Sequence, residues 1–392
     1  MQPLVLTAST VVSALGAGAG ETLAALQARR SGLRPCDFGG IARGWVGQVD
    51  AAGEHALAPA HMRHDCRNNR LAAVALGTDG FAEAVAGAVA RHGADRIGLV
   101  IGTSTSGVQA AEDAFRDRDP ATGALPASFD FEHTHDMFSA AGFVREALGL
   151  RGPAFTVSTA CASSAKAFID AHHLIESGVC DAAVVGGVDS LCRMTLLGFA
   201  ALDLVSDAPC RPCDADRQGI SIGEAAGFAL LERGGRGVAL LGYGATSDGY
   251  HMSSPHPEGI GAIGAMRGAL DRAGLASDMV DYVNLHGTGT RANDAMEDRA
   301  VHEVFGADGP PCSSTKGWSG HTHGACGVLE AVIAGLCIRH GFVPGCLGVE
   351  RLDPAFRANV ATENASRPVR RVLSNSFGFG GINCSLIFGL TD

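Results

Sequence analysis

No stretch of the 392-residue chain approaches the run of about 18 apolar residues that spans a bilayer, so no membrane span is expected. Nor is there a surplus of basic charge: 30 Lys and Arg face 41 Asp and Glu, a formal net charge of −11. That balance argues against general binding to nucleic acid or anionic membranes, although a local basic patch could still dock an acidic partner. Aromatic residues are scarce at 6%, and charged residues reach only 18% beside 46% hydrophobic ones. A chain so composed is not disordered and fills one large core or two fused ones. The start, Met1-Gln2-Pro3-Leu4-Val5-Leu6-Thr7, shows no basic leader, so the 12 cysteines read as reduced thiols of a cytoplasmic protein.

What is plentiful is glycine, 54 residues, set among alanine-rich helical segments and Val/Leu/Ile-rich strands, a mixture that predicts an α/β fold. The most informative stretch is Ser158-Thr159-Ala160-Cys161-Ala162-Ser163-Ser164. A short buried strand over Pro153 to Ser158 precedes it, and apolar residues recur at helical spacing from Ala162 to Glu176. Cys161 therefore falls at a helix start, where the helix dipole is expected to pull a thiol below its free value of about 8.5. Cys210-Arg211-Pro212-Cys213 has the spacing of a metal or redox pair but lacks a second pair. The pairs His133/His135 and His321/His323 lack an obvious third ligand, and alternation along a strand or loop explains them more simply. No metal site is predicted.

The order of elements repeats. A helix through Asn68 to Ala90, a strand over Arg96 to Ile101, the loop Gly102 to Gly107 and another helix lead to the Cys161 strand and helix, then to an apolar strand over Asp181 to Gly187. A second pass runs through a helix near Ala262 to Ala273, a strand ending at His286, the loop Gly287-Thr288-Gly289-Thr290, a helix to Phe305, a strand at Pro311 to Thr315 and a long helix from Gly324 to Arg339. This predicts two similar halves, 1–235 and 236–392, packed as one body around parallel sheets. Chemistry in such sheets collects at strand carboxyl ends, which is where Cys161, His286 and His321 fall.

These residues resemble the elongating β-ketoacyl-acyl-carrier-protein synthases of the thiolase fold, over nearly the whole chain. The likeness rests on Thr159-Ala160-Cys161-Ala162-Ser163, Arg211-Pro212-Cys213-Asp214 with Gly223-Glu224-Ala225-Ala226-Gly227, His286-Gly287-Thr288-Gly289-Thr290, Lys316-Gly317-Trp318-Ser319-Gly320-His321 and Asn375-Ser376-Phe377-Gly378-Phe379-Gly380-Gly381. It implies two βαβαβ halves in a five-layer αβαβα body. Cys161 would hold an acyl group as a thioester. His286 and His321 would donate hydrogen bonds to the enolate formed when a malonyl thioester loses carbon dioxide. The resemblance assigns the oxyanion N–H groups to Cys161 and Phe379, with Phe379 also a gate over the acyl pocket. Lys316 and Glu330 would hold the protonation state of the site, and Asp294 joins that network; each could instead be a solvated surface charge.

Thr288 and Thr290 would bond the amides of a phosphopantetheine arm, or would simply cap the next helix. No cofactor is implied beyond that arm, which belongs to an acyl carrier protein. Arg63, Arg67 and Arg70, spaced i, i+4, i+7, form the expected docking stripe for it. Thr105 stands in the loop that bounds the acyl pocket, where family members often carry bulkier apolar residues; a longer or differently shaped pocket, as for a polyene or polyketide chain, is the expectation. Cys213 stands where phenylalanine is usual. A thiolase is disfavoured by the paired histidines and by Cys326 lying on a helix, and a Cys-His-Asn initiating synthase by His321. A non-catalytic chain-length subunit is disfavoured because Cys161 is present. A homodimer, or a heterodimer with such a subunit, is the expected assembly.

Overall fold

The computed structural model describes residues 1–391. The strands along its main sheet are β1 Leu4–Ser13, β2 Ile97–Gly102, β3 Ala154–Val157, β4 Ala182–Asp189, β5 Ala225–Arg233, β6 Gly237–Ser247, β7 Tyr282–Asn284, β8 Cys312–Ser313, β9 Arg371–Phe377 and β10 Ile382–Thr391. The helices that matter here are α1 Arg67–Leu76, α2 Phe81–His92, α3 Ser139–Ala147, α4 Ser163–Glu176, α5 Arg193–Ala201, α6 Ile260–Ala273, α7 Arg291–Phe305 and α8 Cys326–His340. Hydrogen bonding runs in the order β8-β7-β9-β10-β6-β1-β5-β4-β2-β3. Each group of five therefore has the same internal order, third-second-fourth-fifth-first. The groups meet where Leu4 and Val5 pair with Leu240 and Ala239.

Within each group the strands are not all parallel. β5 runs against β4 and β1, and β10 against β9 and β6. The expected parallel sheets are thus corrected to mixed ones, because the fifth strand of each group lies antiparallel between its first and fourth strands. The expected single helix from Asn68 to Ala90 is also two helices, α1 and α2, bent by 73°. Asp79 and Gly80, at φ +57° and +68°, turn the chain out of the right-handed region there. β3 is an edge strand rather than a buried one, and Phe155 on it is 50% exposed.

Three clusters of buried side chains fill the spaces between layers. One joins α1, α2 and α3 to the first sheet, with Leu71, Phe81, Val85, Phe143 and Phe228 among its members. A second packs α6 and α7 on the other sheet through Met266, Leu270, Met296 and Val301. The largest lies between the sheets around α4 and α8, where Phe168, Ile169, Val328, Val332 and Leu336 meet. Helix, sheet, helix, sheet, helix is the five-layer plan expected. In α8 every residue from Cys326 to Ile338 is buried, and all but Glu330 are apolar or glycine, as suits a helix covered by sheets on both sides. No single helix among the described residues is long and apolar enough to cross a membrane.

Candidate active site

Cys161 sits in the turn between β3 and α4, one residue before the helix cap. Ser163 pins that turn: its Oγ donates to the Ala160 carbonyl at 2.6 Å and accepts from the Thr159 N–H at 2.9 Å. Ala160 is held at φ +49°, a left-handed conformation costing a residue with a side chain about 1–2 kcal/mol. The strain presents the thiol to the floor of a cavity of about 390 Å³ also lined by His286, His321, Phe199, Thr288, Thr290 and Phe379.

The helix start does not make Cys161 a thiolate. Burial pushes the thiol up to about 11, against the opposing pull of Lys316 and of the Phe379 N–H. Proton removal therefore falls to a neighbour, and His321 Nε2 lies 3.0 Å from the sulfur. Its ring stands edge-on to that of His286, with centroids 5.2 Å apart. Burial, reinforced by Lys316, holds both imidazoles well below the usual histidine value, so both are neutral at pH 7. A neutral ring can accept a proton at one nitrogen and donate from the other.

The backbone of each histidine is fixed from the other side of the protein or from a buried carboxylate. His321 N–H donates to the Ser221 carbonyl at 2.7 Å, and the His321 carbonyl accepts from Gly223 at 2.9 Å. The His286 and Gly287 N–H groups donate to the two oxygens of Glu297 at 2.8 and 2.7 Å. Gly287 is at φ +37°, and a Cβ there would meet the Ser314 side chain at 2.4 Å. Gly378 is needed for a similar reason, since its Cβ would lie 2.8 Å from the Thr159 carbonyl. The backbone N–H groups of Phe379 and of Cys161 itself both favour the anionic form of the sulfur.

Lys316, one of only two lysines in the chain, is 1% exposed and donates to Glu330 Oε1 at 2.6 Å. Burial alone would lower its pKa, but the Glu330 carboxylate outweighs that and keeps the ammonium charged. Both are buried, not solvated. Asp294 accepts from the N–H groups of Cys213 and Gly289 and lies 3.5 Å from Arg217. Thr290 caps α7 by accepting from Asn293, and Thr288 shares a hydrogen bond of 2.9 Å with it while both face the cavity, so the two roles coexist.

Two expectations are corrected. Thr105 is fully buried and does not line this cavity; its N–H and Oγ1 both donate to Asp189 Oδ1 at 2.8 Å. Arg63, Arg67 and Arg70 do not form a free basic stripe. Arg63 lies in the short helix Pro59–His64 and pairs with Glu146, and Arg70 pairs with Asp65. Arg67, its side chain 10% exposed, pairs with the fully buried Glu224, whose oxygens also accept from Val49 and Leu191. All 12 cysteines are free and buried, including Cys210 and Cys213. The Cys161 sulfur and one nitrogen each of His286 and His321 lie within 4.8 Å of one another, close enough to share a soft divalent ion.

Sequence reading missed Asp189, Glu297 and the strained Ala160. Glu297 stands three residues after Asp294 on α7, so helical spacing toward the His286 loop was the available signal. For Asp189, the polar loop Thr103-Ser104-Thr105 had shown donors in need of an acceptor.

A reactive thiol and two neutral imidazoles, drawn from both halves of a duplicated mixed sheet, place the protein among the thiolase-like condensing enzymes. Comparison with known proteins narrows the class. Residues 68–236 match the beta-ketoacyl synthase N-terminal domain and residues 238–350 the C-terminal domain. The 3-oxoacyl-[acyl-carrier-protein] synthase 2 of Rhizobium meliloti is 39% identical over 312 residues, covering 74% of this chain and 73% of its own. The mitochondrial enzyme of that name from Arabidopsis thaliana is also 39% identical, but over 64% of this chain and only 59% of its own length. A chain of the solved complex of a ketosynthase with its chain length factor, from Xenorhabdus doucetiae, superposes with a TM-score of 0.92 at 38% identity, covering 100% of this chain and 98% of that one. The chain belongs to the β-ketoacyl synthase family.

Proposed function

We propose that this chain is a β-ketoacyl-acyl-carrier-protein synthase that elongates fatty, polyene or polyketide acyl chains. The observation that carries the reading is the 3.0 Å approach of neutral His321 to a buried, protonated Cys161. His321 takes the thiol proton as the sulfur attacks the incoming thioester, and the carrier thiol leaves, protonated in its turn. The Cys161 and Phe379 N–H groups stabilise the tetrahedral oxyanion. Malonyl thioester enters next through the cavity mouth, with Thr288 and Thr290 supporting its pantetheine arm. Loss of carbon dioxide leaves an enolate to which His286 and His321 donate. Its carbon attacks the acyl-enzyme, forming the C–C bond and releasing the Cys161 sulfur. Lys316, paired with Glu330, keeps the histidines neutral, and Asp294 holds the loop that carries Thr288 and Thr290. Phe379, flanked by glycines, acts as the gate.

The substrates and the partner are acyl carrier protein thioesters, the location is the cytoplasm, and the two functional halves divide at 235/236. An assembly of at least two subunits is favoured by β3, whose outer edge is unpaired and carries exposed Phe155. The similar solved structure is a complex of a ketosynthase with its chain length factor. A heterodimer with a non-catalytic sister is therefore the second reading. Intact-protein mass spectrometry after incubation with a panel of acyl-carrier thioesters tests the assignment: the wild type gains one acyl mass and Cys161→Ser does not. A wild type that never gains mass, or a variant that gains the same mass, removes Cys161 as nucleophile.

A further inference from the structure

The second histidine of the His321-Thr322-His323 pair has no part in the chemistry above, yet it is 3% exposed and its backbone is held at φ +50°. Strain of that kind in a residue with a side chain persists only where the surroundings fix it. The next residue, Gly324, donates its N–H to Asp189 Oδ2 at 2.5 Å, the carboxylate whose other oxygen gathers Thr103, Ser104 and Thr105. His323 is thus anchored to the loop behind the nucleophile. Its ring is tilted by 31° over that of His321, centroids 5.6 Å apart. Phe199 stacks on the same ring with centroids 5.5 Å apart at 25°, and Phe199 in turn lies against Phe379, centroids 5.6 Å apart.

What fixes the His321 ring is otherwise little. Its Nδ1 is buried without a hydrogen-bond partner, so no acceptor sets the plane of the imidazole. The backbone bonds to Ser221 and Gly223 leave the side-chain torsions free. Nε2 makes its single contact with Cys161, a group that must move away as it becomes acylated. Ring packing remains: His286 edge-on, and His323 across the face. His323 Nε2 also lacks a partner, which leaves the ring available for packing rather than committed to a hydrogen bond.

We propose that His323 is a positioning residue that sets the ring plane of His321 and, through Phe199, ties that plane to the position of Phe379. The step served is the proton and enolate chemistry of His321, so the kinetic arm rests on the function proposed above. A planar ring is what the role requires, so His323→Phe should retain it and His323→Ala should lose it. With rates expressed per alkylatable Cys161, the alanine variant should lose about 100-fold in kcat for condensation at unchanged KM for malonyl carrier protein, the loss typical of a misplacement of about 1 Å. The phenylalanine variant should stay within about threefold of wild type, and Phe199→Ala should fall between them.

Crystal structures of the two His323 variants give an arm that needs no acyl substrate. In His323→Ala the His321 ring should turn so that Nε2 leaves Cys161, and in His323→Phe it should keep its wild-type plane. An unturned ring in the alanine variant, a phenylalanine variant as impaired as alanine, or a change in KM alone overturns the proposal. A wild type that accepts no acyl group overturns the proposed function instead, and the ring orientation still decides the role of His323.

Discussion

The two halves of this protein share a strand order and differ in what they place at its ends. After the third strand the first half presents Cys161, and the second half presents Lys316 and His321. After the second strand the first half has the loop Thr103-Ser104-Thr105, and the second has His286. In both, that loop is gathered by a buried carboxylate: Asp189 accepts from Ser104 and Thr105, and Glu297 accepts from His286 and Gly287. The same scaffold has thus been used once for a nucleophile and its support, and once for two imidazoles. Duplication supplied the positions, and side-chain exchange at strand ends supplied the chemistry.

The largest effect should come from the unlike ends. Cys161→Ala should abolish acyl-enzyme formation outright in the mass-spectrometric assay, whereas His286→Ala should leave the acyl-enzyme and slow condensation by about 10²–10³-fold, the cost of one preorganised donor. Equal loss of both steps in His286→Ala would erase the proposed division between the halves. Next comes the buried Lys316–Glu330 pair of the second half. Lys316→Ala leaves Glu330 without its partner and should cost about 3–5 kcal/mol in denaturant unfolding. If both Lys316→Met and Lys316→Ala unfold like wild type, the pair does not hold the second half together.

The gathering carboxylates give a smaller, pH-dependent contrast. Burial pushes the Glu297 carboxyl up to about 7, while an unfolded glutamate titrates near about 4.3. The folded state then holds the proton more tightly, so stability should fall as pH rises from about 4.3 to about 7 and level off above, by a few kcal/mol in all. Glu297→Gln should flatten that slope when melting is followed from pH 5 to pH 8. The thiol predicts the complementary profile: with Cys161 up at about 11, its alkylation by iodoacetamide should keep rising well past pH 8. A plateau near pH 7 would mean that the helix start outweighs burial after all. The smallest effect is expected at Arg63, exposed and paired with Glu146, where alanine should shift stability by about 0.5 kcal/mol or less and carrier-protein KM by less than about twofold.

Much of the fold was legible because β-strands and helices are written in local spacing. The turn into α4, the strand before His286 and the apolar α8 all follow from patterns within a few residues. The mixed direction of the sheets did not, because the antiparallel insertion of β5 between β1 and β4, and of β10 between β6 and β9, is a long-range pairing that carries no periodic signal. The site divided in the same way. Cys161, His286, His321, Lys316 and Phe379 were visible as residue types in recurrent motifs and Glu330 as the matching carboxylate on the following helix, and all but Phe379 are buried. Arg67 was read as a surface charge because an arginine on a helix face looks the same whether it faces water or Glu224, which is 157 positions away. Thr105 was placed in the acyl pocket by the resemblance alone, and its acceptor Asp189, 84 positions further on, is not marked in the local sequence.

The sequence alone determined which groups are present to react: a cysteine before a helix, two histidines after strands, a lysine that precedes one of them, and the duplicated order that carries them. Tertiary structure decided their states. Burial raised the thiol and lowered both imidazoles, a buried carboxylate kept Lys316 charged, and ion pairs removed the arginine stripe. Each of those outcomes depends on desolvation and on partners from distant segments, and neither is written in the spacing of neighbours along the chain.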